Sequence, residues 1–252
     1  MRAKLKGQRG RVYNVPFSPN GRFLLSPFDG QSVRILNIRD GSSRILPVTG
    51  SPGTFMSVAF SPDGRYAVAG NSDGSLWIWD SRTHRLVAKW QGHIGCVWST
   101  VFTTDGKGLM SGSGSYDKTV KYWDVSLLGN RRGVSWRTVV NEEDGFAEVR
   151  RFIGHGVSCF LPLCHNTDRV TFVPQGVVFS IALFPGNAQW LVTGSEDRFV
   201  RVWDTENGVC QLMLQGHTYW VRGVDVSHGQ TQNFLATAGR DGHVSVWIHK
   251  LL

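Results

Sequence analysis

Three stretches of the chain set a histidine, a hydroxyl, an aspartate and a tryptophan at related spacings. They are His93, Ser113, Asp117 and Trp123, then His155, Thr193, Asp197 and Trp203, then His217, Thr237, Asp241 and Trp247. An imidazole beside a hydroxyl and a carboxylate is the composition of a nucleophilic hydrolase, in which the histidine takes the hydroxyl proton and the carboxylate fixes its tautomer. Recurrence weighs against that chemistry. An enzyme needs one such set at one pocket, whereas a set that returns with the chain points to a polar cluster buried repeatedly, each copy needing its own partners.

Other chemistry-bearing residues fail on spacing. His155, Cys159, Cys164 and His165 contain zinc-ligand types but not the paired-cysteine spacing of a zinc site, so no metal is expected. The run SGSGS, Ser111 to Ser115, lacks the Lys-Ser/Thr ending of a phosphate-binding loop and leads into no helix. No HExxH or CxxC pattern occurs. The expectation is a non-enzyme with no cofactor and no small-molecule substrate.

The elements that position these residues form an internal repeat. Each copy has a strand ending near Phe-Ser-Pro, a short turn, a second strand ending in an Asp turn, and an alternating apolar strand closed by Trp-Asp. The copies are VAFSPDGRYAVAGNSDGSLWIWD, TVFTTDGKGLMSGSGSYDKTVKYWD, IALFPGNAQWLVTGSEDRFVRVWD and VDVSHGQTQNFLATAGRDGHVSVWI. A further copy, VPFSPNGRFLLSPFDGQSVRILN, carries Leu36-Asn37 in place of Trp-Asp. Gly-His precedes three of them, at Gly92-His93, Gly154-His155 and Gly216-His217. Short period-two strands separated by Gly, Asp and Pro turns predict an all-β fold, and no helical pattern competes.

This pattern resembles the WD-repeat family over essentially the whole chain. The resemblance implies a β-propeller in which four antiparallel strands make one blade. Five repeats are recognisable, at approximately 9–46, 52–90, 93–153, 155–214 and 217–252, and a partial seven-bladed ring is expected. The resemblance further implies that the recurring His, hydroxyl, Asp and Trp form a structural network in each blade. The first two repeats have Leu25 and Ala69 where the hydroxyl falls, so their blades are expected to be the less stable ones. Ala3 to Gln8 sits where an outer strand of the last blade would come from. An arc left open would expose an apolar blade face and dissolve poorly.

The fourth repeat is anomalous. From the Gly-His histidine to the strand tryptophan is 30 residues in the third and fifth repeats but 48 in the fourth. The excess of 18 nearly equals the 19 residues from Val157 to Gln175, and deleting them joins Gly154-His155-Gly156 to an ordinary blade entry. Val-Ser at the start of the segment, Thr-Asp within it and Gln at its end are encodable by the donor, branch point and acceptor of a short intron. A retained in-frame intron is the expectation, and amplifying spliced message across Gly156 and Gly176 decides it.

Composition bounds the rest. The chain has 252 residues, 41% hydrophobic and 18% charged, enough for a sizeable core. No stretch approaches the ~20 apolar residues of a membrane span, and MRAKLKGQRGR lacks an apolar signal core, so a soluble intracellular protein with no membrane contact is expected. Four scattered cysteines fit free thiols. A net charge of +8 favours acidic partners in a salt-dependent way, but the basic residues are not gathered on one repeat, which argues against direct nucleic-acid contact.

The last three repeats resemble more narrowly the fungal general transcriptional corepressors of the Tup and Groucho type. The points of likeness are a long loop from Val125 to Ala147, then EVRRFIGH from Glu148 to His155, and LMLQGH from Leu212 to His217. That likeness implies a nuclear protein-interaction scaffold and the C-terminal part of a longer protein. The implied partners are proteins: sequence-specific repressors, a TPR-type corepressor subunit and histones. It also implies that partners bind where the innermost strands enter the channel mouth, at Arg11, Tyr13, Met56, Trp98, Phe179, Tyr219, Trp220 and Arg222. Large aromatic and arginine side chains of this kind dominate interface energetics. The alternatives are the scaffold of another complex, including the sensor end of a fungal NTPase, and a basic nucleic-acid-associated propeller.

Overall fold

The Phe-Ser-Pro signature closes a hairpin in the same way each time it occurs. In the second repeat the backbone N–H of Gly64 donates to the Ser61 carbonyl at 2.8 Å, and the Tyr66 N–H donates to the Ser61 hydroxyl at 2.9 Å. Gly64 sits at φ +70°, a conformation a side chain would strain. Ser18 and Thr103 repeat these bonds in the first and third repeats, holding Phe23 and Gly108.

The computed structural model describes residues 12–28, 31–50, 53–113, 119–129, 148–152, 176–185, 189–205, 209–227 and 234–248. They form five antiparallel sheets. The first holds β1 (Phe23–Phe28), β2 (Ser32–Asn37) and β3 (Ser43–Ile45), with Phe17 bridging to Leu24 ahead of β1. The second holds β4 (Phe55–Phe60), β5 (Tyr66–Asn71), β6 (Ser75–Asp80) and β7 (Leu86–Gln91). The third holds β8 (Val97–Phe102), β9 (Gly108–Ser113), β10 (Val120–Asp124) and β11 (Glu148–Phe152), with a 3-10 turn at Ser126–Gly129 after β10. The fourth holds β12 (Val178–Leu183), β13 (Trp190–Ser195), β14 (Phe199–Asp204) and β15 (Cys210–Gln215). The fifth holds β16 (Val221–Val226), β17 (Phe234–Gly239) and β18 (Val244–Ile248). Each sheet is a blade, and β4, β8, β12 and β16 pack side by side as innermost strands.

Apolar residues on facing sheets bind the blades in sequence. Leu25, Val33 and Ile35 of the first meet Phe55, Trp77 and Trp79 of the second. Ile78 and Trp90 of the second meet Leu109 and Trp123 of the third. Met110 and Val120 of the third meet Val178 and Trp203 of the fourth, and Val192 and Val202 meet Val221 and Leu235 of the fifth. Among the described residues no such layer joins the fifth blade to the first. The outward side chains of β18 lie open instead, with Val244, Val246 and Ile248 exposed by 72%, 63% and 61%. Phe17 and Ile45 of the first blade are exposed as well. The expected outer strand at Ala3 to Gln8 lies outside the described residues, as does Val157 to Gln175.

Candidate functional site

The innermost strands share an irregularity that builds a site. In β4 the pairing with β5 runs from Phe55 opposite Asn71 to Ser57 opposite Gly70, leaving Met56 as an extra residue. The same bulge leaves out Trp98 in β8, Phe179 in β12 and Arg222 in β16. A bulge turns its extra side chain away from the regular alternation, and repeating it at one level around the blades aims all of them at the axis. Those residues line one cavity of about 550 Å³, together with Tyr13, Asn14, Ser99, Ser180 and Asp225.

Aromatic rings run around this mouth. Tyr13 meets Trp98 edge-on at 5.9 Å, Trp98 meets Phe179 at 5.7 Å, Phe179 meets Trp220 at 5.6 Å, and Trp220 stacks on Tyr219 at 5.3 Å. The structure therefore brings Tyr13, Met56, Trp98, Phe179, Tyr219, Trp220 and Arg222 to one region. Met56 is buried, whereas Tyr13, Tyr219 and Arg222 are exposed. Arg11 lies outside the described residues. Sequence reasoning missed Arg240, which reaches the same region from the β17–β18 turn with its guanidinium 4.7 Å from the Trp220 ring and 5.2 Å from Tyr219. Arg240 lies in a turn, outside the strand entries that repeat from blade to blade, so it carries no periodic signal.

The recurring polar set is complete in the fifth blade. Asp241 faces His217 Nδ1 at 3.0 Å, Thr237 Oγ1 lies 2.9 Å from His217 Nε2, and the Trp247 indole N–H donates to Thr237 at 3.0 Å. Burial raises the Asp241 carboxyl, but N–H donors from His243 and Thr218 and the His217 ring outweigh it and hold its pKa at about 2. A carboxylate only accepts, so His217 donates its Nδ1–H to Asp241, and in the neutral ring Nε2 then accepts from the threonine hydroxyl. That order of bonds is the one a hydrolase uses. Thr237, however, is only 1% exposed and its oxygen is occupied by the indole, so no substrate carbonyl reaches it. Gly216 is required beside this cluster, because a Cβ there would stand 2.7 Å from the Trp247 ring.

The other blades depart from the expected set. In the third, the hydroxyl is Ser111, not Ser113: Ser111 Oγ lies 2.7 Å from His93 Nε2 and receives the Trp123 N–H at 2.8 Å. By register the β9–β10 connection is two residues longer than its counterpart in the fourth blade, so the same count back from the tryptophan stops short, at Ser113. Ser113 is buried, and its hydroxyl has no hydrogen-bond partner among the described residues. Asp117 and His155 lie outside the described residues. In the fourth blade Trp203 donates to Thr193 at 2.9 Å, and Asp197 pairs with the buried Arg201 at 2.8 Å. The second blade, expected to be weak, satisfies Trp79 through the Pro47 carbonyl at 2.7 Å and buries β5 and β6 almost completely. In the first, the register places Leu36 opposite Leu24, so the hydroxyl position is the buried Ser26 and not Leu25; with leucine in place of the tryptophan, Ser26 donates to the Pro27 carbonyl at 3.0 Å instead.

Cys96 and Cys210 are free thiols, and Cys159 and Cys164 lie outside the described residues. Among the described residues no group of three His, Cys, Asp or Glu is placed to hold a metal, and no helix is long and apolar enough to cross a membrane.

The sequence matches the family described as WD domain, G-beta repeat, over residues 43–80, 84–124, 164–204 and 208–247. The chain belongs to the WD-repeat family. The third matched stretch of this WD-repeat chain begins inside the segment from Val157 to Gln175. The chain is 29% identical to the nuclear distribution protein PAC1 of Arthroderma otae over 194 residues, 77% of this chain and 35% of that protein. It is likewise 29% identical to the PAC1 protein of Trichophyton verrucosum, with the same coverage. It is 27% identical to the protein transport protein SEC13 of Coccidioides immitis over 215 residues, covering 70% of each. The chain thus spans about a third of the length of the PAC1 relatives it matches.

Proposed function

We propose that this WD-repeat chain is a protein-interaction scaffold, without catalytic activity, that holds a segment of a partner protein at the channel mouth. What carries the reading is the bulge repeated in four blades, which turns Met56, Trp98, Phe179 and Arg222 into one cavity. A strand spends a ladder position on such a bulge, and doing so at one level in every complete innermost strand favours the mouth as the place the fold serves. The rings there are large, stiff and partly exposed, which suits them to anchor a peptide with little loss of entropy.

The narrower assignment, a nuclear corepressor that holds DNA-bound repressors, is supported by the long loop from Val125 to Ala147 with Glu148 to His155 and Leu212 to His217. Relatives named for nuclear distribution and for protein transport support the broader scaffold. The test is selection of random displayed peptides on the whole chain, with selected peptides titrated against Trp98→Ala and Trp220→Ala. Each variant should lose about 1–3 kcal/mol of affinity at unchanged unfolding temperature. Selected peptides indifferent to both variants would exclude the mouth.

A further inference from the structure

The mouth has a polarity that the aromatic ring alone does not give. The Arg222 guanidinium lies 4.0 Å from the Phe179 ring and 5.0 Å from Trp220, and Arg240 lies 4.7 Å from Trp220. Two cations are thus held against one indole. Burial, and then the charge of Arg240, pull the Arg222 pKa below its usual value, against an opposing pull from Glu196. Stacking fixes the plane of a guanidinium and leaves its N–H edge free to donate. Among the described residues neither guanidinium forms an ion pair. The acids in the neighbourhood are already engaged, Glu196 by the Val177 N–H at 3.2 Å, Asp225 by the Val226 N–H at 2.9 Å, and Asp241 by His217 and the Thr218 and His243 N–H groups.

We infer that the mouth selects an acidic peptide, one that presents a carboxylate side chain to Arg222 and Arg240 beside an aromatic or aliphatic side chain packed among Trp98, Phe179 and Trp220. The inference rests on the scaffold reading and gives it a ligand chemistry. A carboxylate offers two oxygens to a guanidinium edge, and in a partly dehydrated site that charge-assisted pair is stronger than a neutral one. It also relieves the repulsion between the two arginines. A single-stranded nucleic acid would use the same stacking rings, but it needs a track of bases along its backbone, and Arg222 is the one Lys or Arg among the described residues lining the cavity.

Three measurements test this. Peptides selected on the whole chain are sequenced; their affinities are measured for Arg222→Gln and Arg240→Gln; and each peptide is remade with Asn and Gln in place of Asp and Glu and measured on the unaltered protein. The expected result is enrichment of acidic residues next to apolar ones, with a loss of about tenfold or more from either arginine variant and from the amide peptides. The amide peptides keep the test independent of how the variants fold. Neutral or basic peptides that depend on Trp98 and Trp220 but not on the arginines would overturn the inference while leaving the scaffold reading intact. Peptides that ignore all four residues would overturn both. A single-stranded oligonucleotide that displaces every selected peptide and needs the arginines would overturn it in favour of nucleic acid.

Discussion

Ser111 and Ser113 make a matched pair for testing the polar network. They lie two apart on β9, both are 0% exposed, and replacing either with alanine removes only one oxygen. Ser111 holds His93 at 2.7 Å and Trp123 at 2.8 Å, so Ser111→Ala leaves a ring nitrogen and an indole N–H buried and unpaired. At ~1–3 kcal/mol for each stranded group, and allowing some relaxation, the loss should be about 2–4 kcal/mol. Ser113→Ala removes a hydroxyl that has no partner among the described residues, which should be neutral or stabilising by up to about 1 kcal/mol. For a chain of this length ~1 kcal/mol moves the unfolding midpoint by about 2–4 °C, so Ser111→Ala should melt roughly 5–15 °C lower while Ser113→Ala melts at or above the parent. Thermal unfolding followed by tryptophan fluorescence measures both. Equal losses in the two variants, or a larger loss at Ser113, would refute the assignment of Ser111 as the network hydroxyl.

The same geometry makes further predictions. Trp79→Phe strands the Pro47 carbonyl and shrinks a fully buried ring, so it should cost about 2–4 kcal/mol in denaturant unfolding, contrary to a weak second blade. Gly216→Ala drives a methyl into the Trp247 ring and should cost about 1–3 kcal/mol, read as loss of hydrogen-exchange protection in β16–β18 before the other blades. Because the Asp241 carboxyl is held at about 2 against an ordinary 3.8, its contribution is full above the ordinary value and is lost as pH falls through the lower one. Stability should therefore drop between about pH 4 and 2, and Asp241→Asn should flatten that drop. Replacing Val244 and Val246 on the open face of β18 with threonine should reduce aggregation in light scattering without lowering the unfolding free energy by more than about 1 kcal/mol.

Much of this molecule was legible because its physics repeats. The Ser-Pro-Asp-Gly turn, the alternating strand and the closing Trp-Asp each satisfy a local rule, so each blade carries its own signature in the chain. The mouth residues were legible for a similar reason, since each enters an innermost strand at the same register. The bulge that turns Trp98 or Phe179 toward the axis left no such mark, because it is a property of pairing between two strands. Ser111 was missed because an offset counted along the chain does not survive a longer turn. The acceptor for Trp79 was invisible in principle: a backbone carbonyl at Pro47 has no residue type to announce it. Arg240 was missed because it meets Trp220 only after the β17–β18 turn folds back.

The central claim is that partners bind at the bulged residues of the mouth, and hydrogen exchange of the whole chain with and without a selected peptide tests it most directly. The account predicts slowed exchange at the mouth ends of β8, β12 and β16, around Trp98, Phe179 and Arg222, with the outer strands β7 and β15 unchanged. Protection confined to the outer strands, or to the open face of β18, would contradict it.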